Sequence, residues 1–116
     1  MTDLNILVEE LRKFRDERDW KQFHNHKDMA LSMVLESAEV LEHFQWKSPE
    51  EVNTYAQENK ADIAEEIVDV LKYLVQLADN IGVEDIVQVA LDKLQRDAAK
   101  YPVDKAKGKH TKYTKL

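Results

Sequence analysis

Two stretches of this chain read as apolar helices that each carry a pair of carboxylates where a soluble helix needs hydrocarbon. Glu36 and Glu39 interrupt the apolar run 29–41, and Glu66 and Asp69 interrupt the run 63–71. Both pairs have i, i+3 spacing, so each presents two carboxyl groups on one helical face. Acidic side chains are almost never fully buried unless paired or bound to a cation. Two such pairs brought together would repel one another or take up protons. Hard divalent cations are the simplest compensation, with Mg2+ the first expectation and Mn2+ the alternative.

Size and composition narrow the fold. The 116 residues suit one domain, and 43% hydrophobic content can supply a core. Only two Gly and two Pro are present, too few for the turns of a sandwich or barrel. The absence of Cys excludes disulfide frameworks, thiolate metal sites and cysteine nucleophiles. No apolar run approaches the roughly 18–20 residues of a membrane span. The opening Met1-Thr-Asp-Leu-Asn lacks the basic and apolar regions of a signal peptide, so a cytoplasmic protein without a membrane partner is expected. A net charge of −6, from 23 acidic and 17 basic residues, is a poor match to a stable nucleic-acid partner. Six of the lysines lie between Lys100 and the end. They read as a solvated basic tail or as a phosphate-facing flap, and residues 104–116 are set apart as a tail behind a domain spanning 1–103.

Periodicity gives an all-α order of four principal helices and a short one. The first is expected over about 3–19, with Leu4, Leu7, Val8, Leu11 and Phe14 on one face. A polar, aromatic connection, 20–28, ends at Asp28, the expected N-cap of a helix over 29–46. Leu31, Val34, Ala38 and Leu41 form one side of that helix, while Met29, Met33, Val40 and Phe44 flank the acidic stripe. Apolar on most of its circumference, it predicts burial by a second copy, as dimer or tetramer. Ser48, Pro49 and Glu51 form a capping box with Pro at N1, opening a short helix. The next helix, 61–79, carries Asp62, Glu66, Asp69 and Tyr73 on one stripe and stops at Asn80-Ile-Gly82. A last helix, 84–100, should turn Ile86, Val87, Ala90, Leu94 and Ala98 inward, and Tyr101-Pro102 ends it.

Three readings compete for the acidic pairs. They could be solvated or paired with Lys and Arg, but their apolar flanks count against this. A di-iron bundle needs Glu-x-x-His on two helices; the residue three before His43 is Val40, and no other helix offers the motif. Mg2+-dependent phosphate chemistry fits best, because Mg2+ takes carboxylates, waters and substrate phosphates as ligands. Ser32 and Ser37 lack a catalytic context and there is no Gly-rich phosphate loop. A metal-activated water is then the expected attacker, and hydrolysis the expected reaction.

Glu36-x-x-Glu39 and, 26 residues on, Glu66-x-x-Asp69 resemble the signature of MazG-type all-α nucleoside triphosphate pyrophosphohydrolases. Residues 14–24, Phe44-Gln-Trp46-Lys, Asp69-Val-Leu-Lys-Tyr73-Leu, Lys100-Tyr-Pro-Val103 and the ending 108–116 look like the dCTP pyrophosphatase branch. The resemblance spans nearly the whole chain. It implies a four-helix-bundle-like, oligomeric fold with an extra short helix. It implies hydrolysis of a (deoxy)nucleoside triphosphate, dCTP or a related nucleotide, to the monophosphate and pyrophosphate, in the upkeep of nucleotide pools. It makes Glu36, Glu39, Glu66 and Asp69 the metal ligands and catalytic set. Trp20, His24, Trp46 and Tyr73 match the aromatic groups around base and sugar. Lys93 and Asp97 match a Lys-x-x-x-Asn element in which Asp97 replaces Asn, an added negative charge unfavourable beside a triphosphate.

The residues allow plainer roles. Phe23 and Phe44 suit caps on the core, whereas Trp20 and Trp46 adjoin polar residues and offer indole faces for stacking. His24 is either a donor to the ligand or an exposed side chain. Lys93, Asp97 and Lys100 share a face that a solvated stripe would also explain. From another class, the rival is a non-catalytic helical bundle that binds nucleotide or a protein partner.

Overall fold

A computed structural model describes residues 3–116, and among these every regular element is helical. Six α-helices follow one another: α1 Leu4–Glu17, α2 His26–Glu42, α3 Pro49–Glu58, α4 Lys60–Ile81, α5 Ile86–Lys100 and α6 Val103–Ala106. Single 3-10 turns occupy Lys21–Phe23 and Tyr113–Lys115. The chain divides into two compact units, one running to Glu84 and the other from Asp85 to Leu116.

Local capping chemistry sets most boundaries of the first unit. The Asp3 carboxylate accepts from the Ile6 N–H at 3.0 Å and starts α1. The Ser48 hydroxyl accepts from the Glu51 N–H at 3.2 Å, with Pro49 opening α3. Gly82 closes α4 in the left-handed region (φ 102°), where a Cβ would be strained. The start of α2 departs from expectation. Asn25, not Asp28, is its N-cap; the Asn25 side chain accepts from the Asp28 N–H at 2.8 Å and donates to the Asp28 carboxylate at 2.7 Å. Both residues are good caps, and the upstream one wins because it bonds the backbone and side chain of the other. The helix also stops at Glu42, short of Trp46, which lies in the left-handed region at φ 69°.

Within this unit α4 is the central rod. It packs most extensively on α2 and also meets α1 and α3. Arg12 of α1 grips Asp79 of α4 through both carboxylate oxygens, the Nε bond measuring 2.8 Å. Among the described residues the buried hydrophobics are few: Met29, Ile63 and Val75, of which Val75 is fully buried. Leu31, Val34, Leu35 and Leu41 on α2, and Ile67 and Leu74 on α4, stand exposed. The apolar side expected of α2 is therefore present but uncovered by its own chain.

In the second unit Asp85 caps α5 by accepting from the Gln88 N–H at 3.2 Å. Ile86 and Val87 are half-buried, but Ala90, Leu94 and Ala98, expected to face inward, are exposed. A one-sided apolar pattern says that a face exists, not that this chain covers it. The basic segment 104–116 belongs to this unit. Tyr113 meets Tyr101 edge-to-face at 5.9 Å, and the Lys100 ammonium lies 4.9 Å from the Tyr113 ring centre. Among the described residues no helix is long and apolar enough to cross a membrane.

Candidate functional site

The register of α2 on α4 brings the two acidic pairs to one place. Glu36 feels both pairs: burial first, then a hydrogen bond that its protonated form donates to Glu39, and the charges of Glu39, Asp69 and Glu66, raise its pKa above the ordinary glutamate value. Glu36, Glu66 and Asp69 are half-buried and Glu39 is exposed. Two of the acids have local partners. Asp69 pairs with Lys72 at 3.2 Å, and an oxygen of Glu66 faces Nε2 of His43. Among the described residues no three Asp, Glu or His side chains are arranged to hold one ion as they stand. The donor set itself, four carboxylates with no sulfur, has the chemistry of a hard-cation site.

A cleft of about 210 Å3 adjoins this cluster and is walled by α1, α2, α4 and the 20–24 connection. Glu36 and Asp69 line one part of it, and Trp20, His24, Tyr73 and Arg15 line others. Trp20 is braced edge-to-face by Phe14 at 5.7 Å. Burial, and then the nearby Arg15 charge, lower the pKa of His24 below its ordinary value, which keeps the ring neutral near pH 7. The cleft thus joins an acidic end to an aromatic wall. Its volume lies somewhat below the usual range for small-molecule sites, as expected of a cleft left open on one side.

Three of the four aromatic residues singled out in the sequence meet here, and Trp46 does not. Trp46 is 92% exposed and lies outside the cleft. A bulky residue in the left-handed region costs roughly 1–2 kcal/mol, and such positions cluster at functional sites. Lys93 and Asp97 lie in the second unit, where the Lys93 ammonium donates to both Asp97 oxygens at 2.9 and 3.0 Å. The charge that Asp97 introduces in place of Asn is therefore matched by its own neighbour on α5.

Two site residues escaped the sequence reading. Arg15 is only 8% exposed yet lines the cleft; its Nε donates to Asp16, and its remaining guanidinium N–H groups have no partner among the described residues. Its signal was an arginine in register with the apolar stripe Leu4, Leu7, Leu11 of α1. His43 lies four residues beyond Glu39 and seven beyond Glu36, on the same face of α2. A search for Glu-x-x-His passes over it because the spacing is one residue longer.

A family model, that of the MazG-like family, matches residues 31–116. The dCTP pyrophosphatase 1 of Mus musculus is 39% identical over 115 residues, covering 94% of this chain and 67% of its own. The Homo sapiens protein of that name is 36% identical over 115 residues, with the same coverage of both chains. Among solved structures, a pyrophosphatase from Archaeoglobus fulgidus superposes with a TM-score of 0.80 at 36% identity, over 88% of this chain and 94% of that one. An all-helical fold, a joined pair of acidic helices and these relatives agree, and the chain belongs to the MazG-like family.

Proposed function

We propose that this protein hydrolyses dCTP, or a closely related deoxynucleoside triphosphate, to the monophosphate and pyrophosphate in a reaction dependent on Mg2+ or Mn2+. The enzyme class, nucleoside triphosphate pyrophosphohydrolase, follows from the family and from relatives that are dCTP pyrophosphatases. The observation that carries the finer reading is the cleft, which places Glu36 and Asp69 in the same enclosure as Trp20, His24 and Tyr73. A nucleotide is a molecule with an anionic end and a flat end, and this enclosure has a counterpart for each.

In this reading Glu36, Glu39, Glu66 and Asp69 hold the metal. Bound there, it would neutralise phosphate oxygens and make a water more acidic. The carboxylates keep that water aligned with the α-phosphorus. The water oxygen would bond to the α-phosphorus and give its proton to one of these carboxylates as the bond to the α–β bridging oxygen breaks, and pyrophosphate leaves with that oxygen. Trp20 and Tyr73 face the base and sugar, and neutral His24 can donate one hydrogen bond and accept another. Arg15 supplies a cation from the buried side of the cleft. Trp46, outside the cleft and exposed, is assigned to the base by the family resemblance alone.

A second copy of the chain completes the assembly. The support is the uncovered apolar face of α2 and α4, which includes a groove of about 360 Å3 walled by Val40, Ile67, Val70 and Leu74. Contiguous exposed apolar surface of this kind marks an interface. Light scattering at micromolar concentration should return a dimer or tetramer; an active monomer would remove this part of the reading.

The deciding experiment measures pyrophosphate release from a panel of nucleoside triphosphates, with Mg2+, with Mn2+ and in EDTA. The expected result is metal-dependent release that is fastest with dCTP. Undiminished activity in EDTA, or no preference among bases, would refute the corresponding half of the proposal.

A further inference from the structure

One oxygen of Glu66 meets a histidine. His43, at the C-terminal end of α2, presents Nε2 to the Oε2 of Glu66 on α4. Both atoms are buried, although the Glu66 side chain keeps 31% of its surface exposed. The other ring nitrogen, Nδ1, lies 2.9 Å from the hydroxyl of Tyr55 on α3. The two rings stand 5.6 Å apart, and the Lys47 ammonium caps the Tyr55 ring at 4.3 Å. His43 of α2, seated by Tyr55 of α3, therefore stands against one carboxylate oxygen of α4, and the contact between Nε2 and Oε2 is the one polar contact that either of these two buried atoms makes among the described residues.

A glutamate on a helix has several rotamers, and an acid in a cluster of like charges is pushed towards those that lead away from the cluster. A donor held against one oxygen opposes that drift and leaves the other oxygen free. The arrangement works in either protonation state of the ring. Neutral His43 donates from Nε2 to Glu66 and accepts at Nδ1 from the Tyr55 hydroxyl; the imidazolium donates at both nitrogens. Hydrogen bonds of this kind to ligating carboxylates commonly set metal affinity.

We propose that His43, seated by Tyr55, is a positioning residue that holds Oε2 of Glu66 so that Oε1 is presented to a divalent cation. This rests on the reading of Glu66 as a metal ligand. The role belongs to neither the E-x-x-E nor the E-x-x-D pair, and it explains why the half-buried histidine sits against one of the four acids.

The test uses Mn2+ alone as probe, with binding followed by calorimetry or by loss of the free-ion EPR signal, on the full-length chain. His43→Phe should weaken Mn2+ about 10–100-fold. His43→Gln, whose amide N–H can replace Nε2–H, should recover most of that loss, and Tyr55→Phe should lose less than His43→Phe. In turnover assays the kcat of His43→Phe should fall at limiting Mn2+ and return as Mn2+ is raised, with the nucleotide KM at saturating metal unchanged. A purely structural role would lower thermal stability and leave Mn2+ affinity alone, and that outcome overturns the proposal. If His43→Phe does not fold, unchanged Mn2+ affinity in both Tyr55→Phe and His43→Gln overturns it equally. Glu66→Gln separates the two levels. Loss of Mn2+ affinity there, with none in the His43 and Tyr55 variants, refutes the positioning role only, whereas unchanged affinity in Glu66→Gln refutes the ligand reading beneath it.

Discussion

Replacing Glu36 by Gln should stabilise the metal-free protein, because it removes one charge from a cluster that has no cation to share. Three like-charged neighbours act on Glu36, namely Glu39, Asp69 and Glu66. A like-charge pair on a partly exposed helix surface costs about 0.2–0.5 kcal/mol. Relief of three such pairs comes to roughly 0.6–1.5 kcal/mol, and solvent screening places the result towards the lower figure. Gln and Glu have nearly equal helix propensity, so little is lost locally. For a domain of this size the gain corresponds to a Tm rise of about 2–8 °C. The pH dependence has a definite sign. The folded-state pKa of Glu36 is raised, so its contribution is fully present below the ordinary glutamate value of about 4.3 and is lost as pH rises through the folded value. The advantage of Glu36→Gln should therefore be small at acid pH and grow as pH rises above that point. Thermal unfolding of both proteins in EDTA from pH 4 to 8, at one protein concentration, measures the gap directly. Added Mn2+ should reverse the order, because the wild type gains a ligand that the variant lacks. A variant less stable in EDTA at pH 7, or a gap that does not change with pH, would refute the argument.

Trp46→Ala should weaken nucleotide binding by roughly 1–3 kcal/mol and narrow the kcat/KM ratio between dCTP and dATP at saturating Mg2+. Its Tm should hardly change, since the indole is 92% exposed, and an unmoved ratio with an unmoved KM would remove Trp46 from the pocket. Arg15→Met keeps an unbranched chain in the stripe of α1 and removes the cation. KM for the triphosphate should rise about 10–100-fold, the usual worth of a hydrogen bond to a charged group; the His24 ring, no longer beside that charge, should titrate closer to its ordinary value by NMR. Arg12→Ala should lower the Tm at neutral pH by freeing α1 from α4. The Arg12 hydrogen bond holds the Asp79 carboxyl below its ordinary range, so this stabilisation is present above about pH 3.9 and is lost as pH falls through the depressed folded value. The melting curves of wild type and Arg12→Ala should accordingly converge in strong acid, and parallel curves down to pH 2 would count against the pair.

The features legible in the sequence were those whose causes lie within about four residues. Ser48 sits three residues before the N–H it caps, and Gly82 is the residue able to take the left-handed turn after α4. The i, i+3 spacing of the acids likewise put each pair on one face before any packing was known. Even locally, two good caps compete: Asn25 and Asp28 both suit a helix start, and the outcome depended on Asn25 bonding to Asp28 through both backbone and side chain. What the packed structure decided is everything that requires two helices in a particular register. Only the seating of α2 on α4 makes Glu36 a neighbour of Asp69, and only that of α3 beside them brings Tyr55 to His43 and His43 to Glu66. Arg15 follows the apolar stripe of α1 in register, and only the packing of α1 against α4 makes it part of the cleft. Hydrophobic periodicity names the face of a helix but not its partner, because the pattern along one helix is satisfied equally by its own chain or by another copy. This is why the apolar faces of α2 and α4 could be read at once, while what leaves Leu31, Leu35 and Ile67 exposed is a property of the packed chain alone.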